Sequence, residues 1–143
     1  MALPKVADRY TARRPRNEDL YSDFLVNINA HPDNGQIVTY KNEEAVISSI
    51  KNLLFTNKYE RLFQPEIGSN IQRLLFEPIS PQTEVDIVNE IKETIENYEP
   101  RANLLDVIAS GDPDNNSYLI TISFYITSAE NVTTINIPLY RVR

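Results

Sequence analysis

Glu99-Pro100-Arg101 sets an acid and a base on either side of a residue that fixes its own backbone angle and cannot donate a hydrogen bond. The trio offers ion-pair chemistry at a fixed spacing, at the end of the best amphipathic stretch in the chain. Pro100 disfavours the helical region for Glu99, so a helix reaching Tyr98 must stop there. A carboxylate at the negative end of a helix is mildly unfavourable, which points to a role for Glu99 outside the helix. The simpler alternative is a solvated helix stop in which Arg101 covers the last carbonyls. Other chemistries have less material. The chain has no cysteine and one histidine, His31, which leaves neither a thiolate site nor a multi-histidine metal site. With 3 glycines, neither a P-loop nor a G-x-G-x-x-G turn can be assembled. No cofactor is expected.

The elements that must hold this corner fit one domain of 143 residues, large enough for a real core. A net charge of -6 argues against nucleic acid as a partner. No apolar run approaches the roughly 18 residues of a membrane span, and no signal-peptide core follows the start, so synthesis in the cytosol without membrane insertion is expected. The charge is uneven, however. Lys5, Arg9, Arg13, Arg14 and Arg16 face a lone Asp8. Residues 1–19 therefore read as a basic flexible arm, with Arg13, Arg14 and Arg16 as candidate contacts to an acidic partner, and 20–143 as the folded domain.

Leu20 to Ile28 reads as a strand, Pro32-Asp33-Asn34-Gly35 as a turn and Ile37 to Tyr40 as the returning strand. Asn42 is placed to cap a helix that buries Val46, Ile50, Leu53 and Leu54. After an irregular stretch from Lys58, Ser69 and Gln72 have capping-box spacing. A short helix then buries Ile71, Leu74 and Leu75, with Phe76 also expected in the core. Ser80-Pro81 starts the long helix, whose predicted buried positions are Val85, Val88, Ile91 and Ile95. Three strands close the chain. The middle one has its apolar face at Tyr118, Ile120, Ile122, Phe124 and Ile126; the last has Ile135, Ile137 and Leu139. Pro138 confines that last strand to a sheet edge. The predicted fold is α+β: an N-terminal β-hairpin, three helices (one short), then a C-terminal antiparallel meander.

Three segments at these transitions carry a family resemblance: Arg61-Leu62-Phe63-Gln64-Pro65-Glu66-Ile67-Gly68-Ser69, Leu74-Leu75-Phe76-Glu77-Pro78 and Tyr98-Glu99-Pro100-Arg101. In their order and spacing they resemble the baseplate wedge, or sheath-initiator, family of T-even-like contractile bacteriophages. That family is shared with R-type pyocins and type VI secretion, and is often labelled lysozyme-like. The likeness runs from about Leu20 to the C-terminus; the basic arm and residues 29–36 depart from the shorter relatives. It implies a structural protein of the virion baseplate, assembled in the host cytoplasm. Its Glu99, Pro100 and Arg101 would dock on the helical core bundle of the other wedge proteins, and the domain would seed the tail sheath by strand addition. Tube or hub proteins are further candidate partners. The last strand would supply the edge for the sheath protein, through Val132, Thr134, Asn136 and Pro138. Arg61 and Glu66 are either additional contacts or internal pairs, Arg61 with Glu66 or Glu77. As interface residues, Glu99 and Arg101 are expected to be exposed and nearly neutral for stability.

The lysozyme label raises the possibility of glycoside hydrolysis, which needs two carboxylates across one cleft. The phage lysozyme pattern spaces a Glu, an Asp nine residues on and a Thr six further. Glu77 and Asp86 have the first spacing, but Lys92 takes the third place, and nine residues beyond Glu99 stands Ile108. No enzymatic activity is expected. A small regulatory adaptor of similar fold is the other alternative, since fold does not fix role.

Overall fold

The computed structural model describes residues 20–24, 35, 37–127 and 131–141. Their order is β1 (Ser22–Phe24), β2 (Thr39–Lys41), α1 (Glu43–Phe55), α2 (Ile71–Leu74), α3 (Pro81–Tyr98), β3 (Ala102–Asp112), β4 (Ser117–Ile126) and β5 (Val132–Tyr140). β1 and β2 pair antiparallel as a separate two-stranded sheet, and β3-β4-β5 form an antiparallel meander. This is the predicted α+β arrangement. The turn residues 32–34, the arm and His31 lie outside the described residues.

Alternation dictates the meander. Tyr118, Ile120, Ile122, Phe124 and Ile126 all point inward and are buried, as are Ile135, Ile137 and Leu139 beside them. The partner layer is helical: Val46, Ile50 and Leu54 of α1 and Ile87, Ile91 and Ile95 of α3 join the same core. β5 is an edge strand, as Pro138 requires. β3, at the other edge, carries a bulge at Leu105 between its pairs Leu104↔Phe124 and Asp106↔Ser123. The inward positions shift there from Ala102 and Leu104 to Val107 and Ala109.

Four local expectations fail, the first three because a side chain finds a different partner. Ser69 does not form a capping box; its hydroxyl donates to the Leu54 carbonyl at 2.7 Å, while the Gln72 amide accepts from Asn57 at 2.8 Å. Asn42 occupies the cap position of α1, but its side chain accepts the Leu20 N–H at 2.9 Å and so ties β1 to the helix start. The buried stripe of α3 runs through Thr83, Ile87, Ile91, Thr94 and Ile95, leaving Val88 half-buried and Val85 52% exposed. The cap sets that rotation. The Ser80 hydroxyl accepts the Thr83 N–H at 3.2 Å, and the Thr83 hydroxyl donates to the Pro78 carbonyl at 2.9 Å. Thr83 is thereby drawn inward, and Ile87 and Ile91 follow at four-residue steps. Phe76, predicted in the core, is 64% exposed one residue past buried Leu75.

Candidate functional site: the Glu99-Pro100-Arg101 corner

α3 ends at Tyr98 and β3 begins at Ala102, so the three residues between form the whole connection. The Glu99 N–H still donates to Ile95 at 2.9 Å, and the Glu99 carbonyl accepts from Ala102 at 3.1 Å. Across this tight bend the two flanking side chains turn back on each other. Arg101 Nε donates to one carboxylate oxygen of Glu99 at 2.6 Å, and Nη2 donates to the other at 2.7 Å. A planar guanidinium against a planar carboxylate is the strong, geometrically specific form of ion pair.

The expectation that both ions are exposed is wrong for Glu99, which is 2% exposed. The Arg101 side chain is half-buried at 32%. Its guanidinium carbon lies 5.4 Å from the centre of the Tyr21 ring, a cation–π distance. The Arg101 carbonyl accepts from the Thr127 N–H at 3.0 Å. The segment before β1 and the residue just after β4 therefore both hold the corner. Pro100 remains exposed at its tip.

The electrostatics follow from this packing. Burial alone would push the Glu99 carboxyl upward, but the Arg101 hydrogen bonds, a bond from the Ser49 hydroxyl and the Arg101 charge outweigh it, holding the group below its ordinary value. Arg101 is raised, chiefly by its bond to Glu99, against a desolvation cost. The cost of an acid at a helix C-terminus is thus offset by a base two residues on. Neither Tyr21 nor Ser49 was singled out in the sequence, because contacts this remote in the chain leave no periodic signal.

Residues 57–69 form a second rigid feature. Lys58 N–H donates to Ser69 at 3.3 Å, Ser69 N–H to Thr56 at 2.8 Å and Tyr59 N–H to Pro65 at 2.7 Å. The Tyr98 hydroxyl donates to the Glu66 carbonyl at 2.8 Å, joining this loop to the residue just before the corner. Gly68 has φ +143°, and a Cβ there would lie 2.6 Å from the Thr56 carbonyl oxygen and 2.8 Å from the Asn57 carbonyl carbon. Backbone atoms cannot move aside as a side-chain end can. Gly68→Ala is expected to cost about 2 kcal/mol or more, read as a lower urea midpoint at unchanged slope; an unchanged midpoint would mean the loop is not closed this way.

The other sequence-predicted residues fall as follows. Arg61 and Glu66 are exposed, and among the described residues Arg61 pairs with neither Glu66 nor Glu77. Arg13, Arg14 and Arg16 lie outside the described residues. Val132, Thr134, Asn136 and Pro138 lie along the edge strand with exposed side chains. Glu77 stands in the turn after α2, and Asp86 on α3 accepts from Gln82 at 3.0 Å. Among the described residues no group of acids and histidines could hold a metal, and no helix is long and apolar enough to cross a membrane.

The helix-backed meander is shared with proteins of phage-tail and phage-like baseplates. The chain belongs to the baseplate wedge protein gp25 family, whose sequence pattern matches residues 41–131. It is 29% identical over 82 residues to baseplate wedge protein gp25 of Enterobacteria phage T4, a match covering 57% of this chain and 62% of that protein. The chain thus spans somewhat less than two thirds of that relative's length. A Geobacter sulfurreducens protein described as a tail lysozyme is 31% identical, with a TM-score of 0.69 over 76% of this chain and 98% of that one. A chain of the six-fold symmetrised anti-feeding prophage baseplate is 26% identical, with a TM-score of 0.59 over 85% of each.

Proposed function

We propose that this protein is a non-enzymatic wedge subunit that docks on the helical core of its baseplate through Glu99-Pro100-Arg101 and seeds the tail sheath through the free edge of β5. The observation that carries the docking half is the Glu99–Arg101 fork. It uses Nε and Nη2 of Arg101, and among the described residues no partner occupies Nη1. A partner carbonyl or carboxylate beside exposed Pro100 meets a donor that is already oriented, so little side-chain entropy is lost on binding. The arm, residues 1–19, adds basic contacts, with tube or hub proteins as further neighbours, and assembly takes place in the host cytoplasm. A hydrolytic role has little support, because Glu77 and Asp86 stand on separate elements and Asp86 is engaged by Gln82.

Arg101→Lys tests the docking. The ammonium keeps the charge opposite Glu99 but not the fork or the stacking on Tyr21, so the monomer should stay folded at a cost of about 1 kcal/mol. Co-expressed with the other wedge proteins of its own baseplate, the variant is expected not to co-purify with them. Recovery at wild-type stoichiometry would overturn the role given to the corner.

A further inference from the structure

Residues 59–66 are all exposed, yet they are not loosely held. The bonds from Tyr59 to Pro65 and from Tyr98 to Glu66 clamp the two strands of the loop, and Ile67 N–H donates to Gln64 at 3.2 Å. Lys58 pairs with Glu90 at 3.0 Å beneath it. Tyr59 is held at φ +70°, a left-handed conformation that is strained for an aromatic residue. Such strain persists only where the surroundings fix it, and it concentrates at functional positions. At the tip of this clamped loop Leu62 is 93% and Phe63 95% exposed. Two adjacent large apolar side chains, rigidly presented and almost wholly in water, form the kind of convex anchor that dominates protein interfaces when it fills a pocket.

The surroundings specify that pocket. Glu60 and Glu66 are exposed on the loop, and Glu93 is exposed on α3 close enough to act on Lys58. Lys58 is already paired with Glu90, so Arg61 is the one exposed cation of residues 58–66 against two exposed carboxylates, Glu66 and a Glu60 that also accepts the Asn57 N–H at 3.0 Å, with Glu93 adding a third on α3. An acidic rim around an apolar tip is complemented by a basic rim around an apolar cavity. The Tyr98–Glu66 bond ties the loop to the residue just before the docking corner.

We infer that Leu62 and Phe63 are an anchor that enters an apolar, basic-rimmed pocket on the same wedge protein that the Glu99-Pro100-Arg101 corner engages. The inference rests on the docking function proposed above, and its test separates the two. The other wedge proteins of the same baseplate are purified, and their affinity is measured for wild type, Arg101→Lys and the double variant Leu62→Ser/Phe63→Ser. Both serines fall on exposed sites, so the melting temperature of the double variant should be unchanged or slightly higher. Its affinity should fall about 30-fold or more, as for a hot-spot pair, mainly through faster dissociation. Wild-type binding should also weaken as salt is raised. Double-variant binding within twofold of wild type, beside a failing Arg101→Lys, would overturn the anchor and leave the corner standing. A failing double variant beside normal Arg101→Lys binding would retain the anchor and remove the corner. A wild-type dimer abolished by the two serines at unchanged wedge affinity would also overturn the inference, assigning the tip to a second copy of this chain. Absence of any wild-type complex would remove both.

Discussion

Replacing Arg101 by alanine is expected to destabilise the isolated protein by about 2–3 kcal/mol at pH 7, because it strands the Glu99 carboxylate away from water. Breaking one partner of a deeply buried pair costs roughly 3–5 kcal/mol. The lower figure applies here because the Arg101 side chain is 32% exposed and the pair lies just beneath the surface. The pH dependence identifies the cause. Glu99 in the folded protein sits below its ordinary value, so its stabilising contribution is complete above the unfolded-state value and is lost as pH falls through the folded one. In Arg101→Ala, burial is opposed chiefly by the Ser49 hydroxyl, and the folded carboxyl shifts upward instead. That variant is relieved by acidification, so its deficit against wild type should shrink between pH 7 and about pH 4. Glu99→Gln keeps the shape and removes the charge; it should cost about 1 kcal/mol and should show no titration of its own. Urea unfolding at several pH values measures all three proteins. An Arg101→Ala deficit that stayed constant with pH would assign the loss to packing on Tyr21 instead.

The burial of Glu99 reverses the exposure that the sequence alone implied for it. Pro100 and the helix end were legible, because proline chemistry and the 3.6-residue period act locally. The meander was legible too, since Tyr118 through Ile126 alternate without a break. The corner is held by Ser49 at Glu99 and Tyr21 at Arg101, which lie 50 and 78 positions before Glu99 in the chain, and no spacing rule connects them. Ser69 failed for the opposite reason. Its capping-box spacing was correct, but the Leu54 carbonyl competed for the same hydroxyl. Val85 misled because apolar spacing admits more than one helix rotation; the Ser80–Thr83–Pro78 bonds choose between them. Leu62 and Phe63 read as ordinary apolar residues of an irregular stretch, and only the clamped loop reveals them as exposed.

Thr134→Pro is expected to leave the monomer and the wedge intact while abolishing sheath polymerisation. The Arg141 N–H donates to Asn116 across the sheet at 3.0 Å, so residues 133, 135, 137 and 139 also direct their N–H groups toward β4. Their side chains are the buried ones. Val132, Thr134 and Asn136 consequently direct their N–H groups outward, and Pro138 has none to lose. A proline at 134 removes no hydrogen bond of the ladder with β4. It gives up only the 3.3 Å hydroxyl contact with Ser123 and some freedom of φ, about 1 kcal/mol or less for an exposed edge site. For an incoming strand the effect is much larger, because prolines at 134 and 138 leave Asn136 as an isolated donor between two gaps. Strand addition depends on such consecutive backbone bonds. Electron microscopy of particles carrying the substitution should show baseplates without sheath. Normal sheath on those baseplates would exclude this edge and transfer the role to β3, whose outer side is the meander's other unpaired edge among the described residues and whose bulge at Leu105 alters the register that a partner strand would meet.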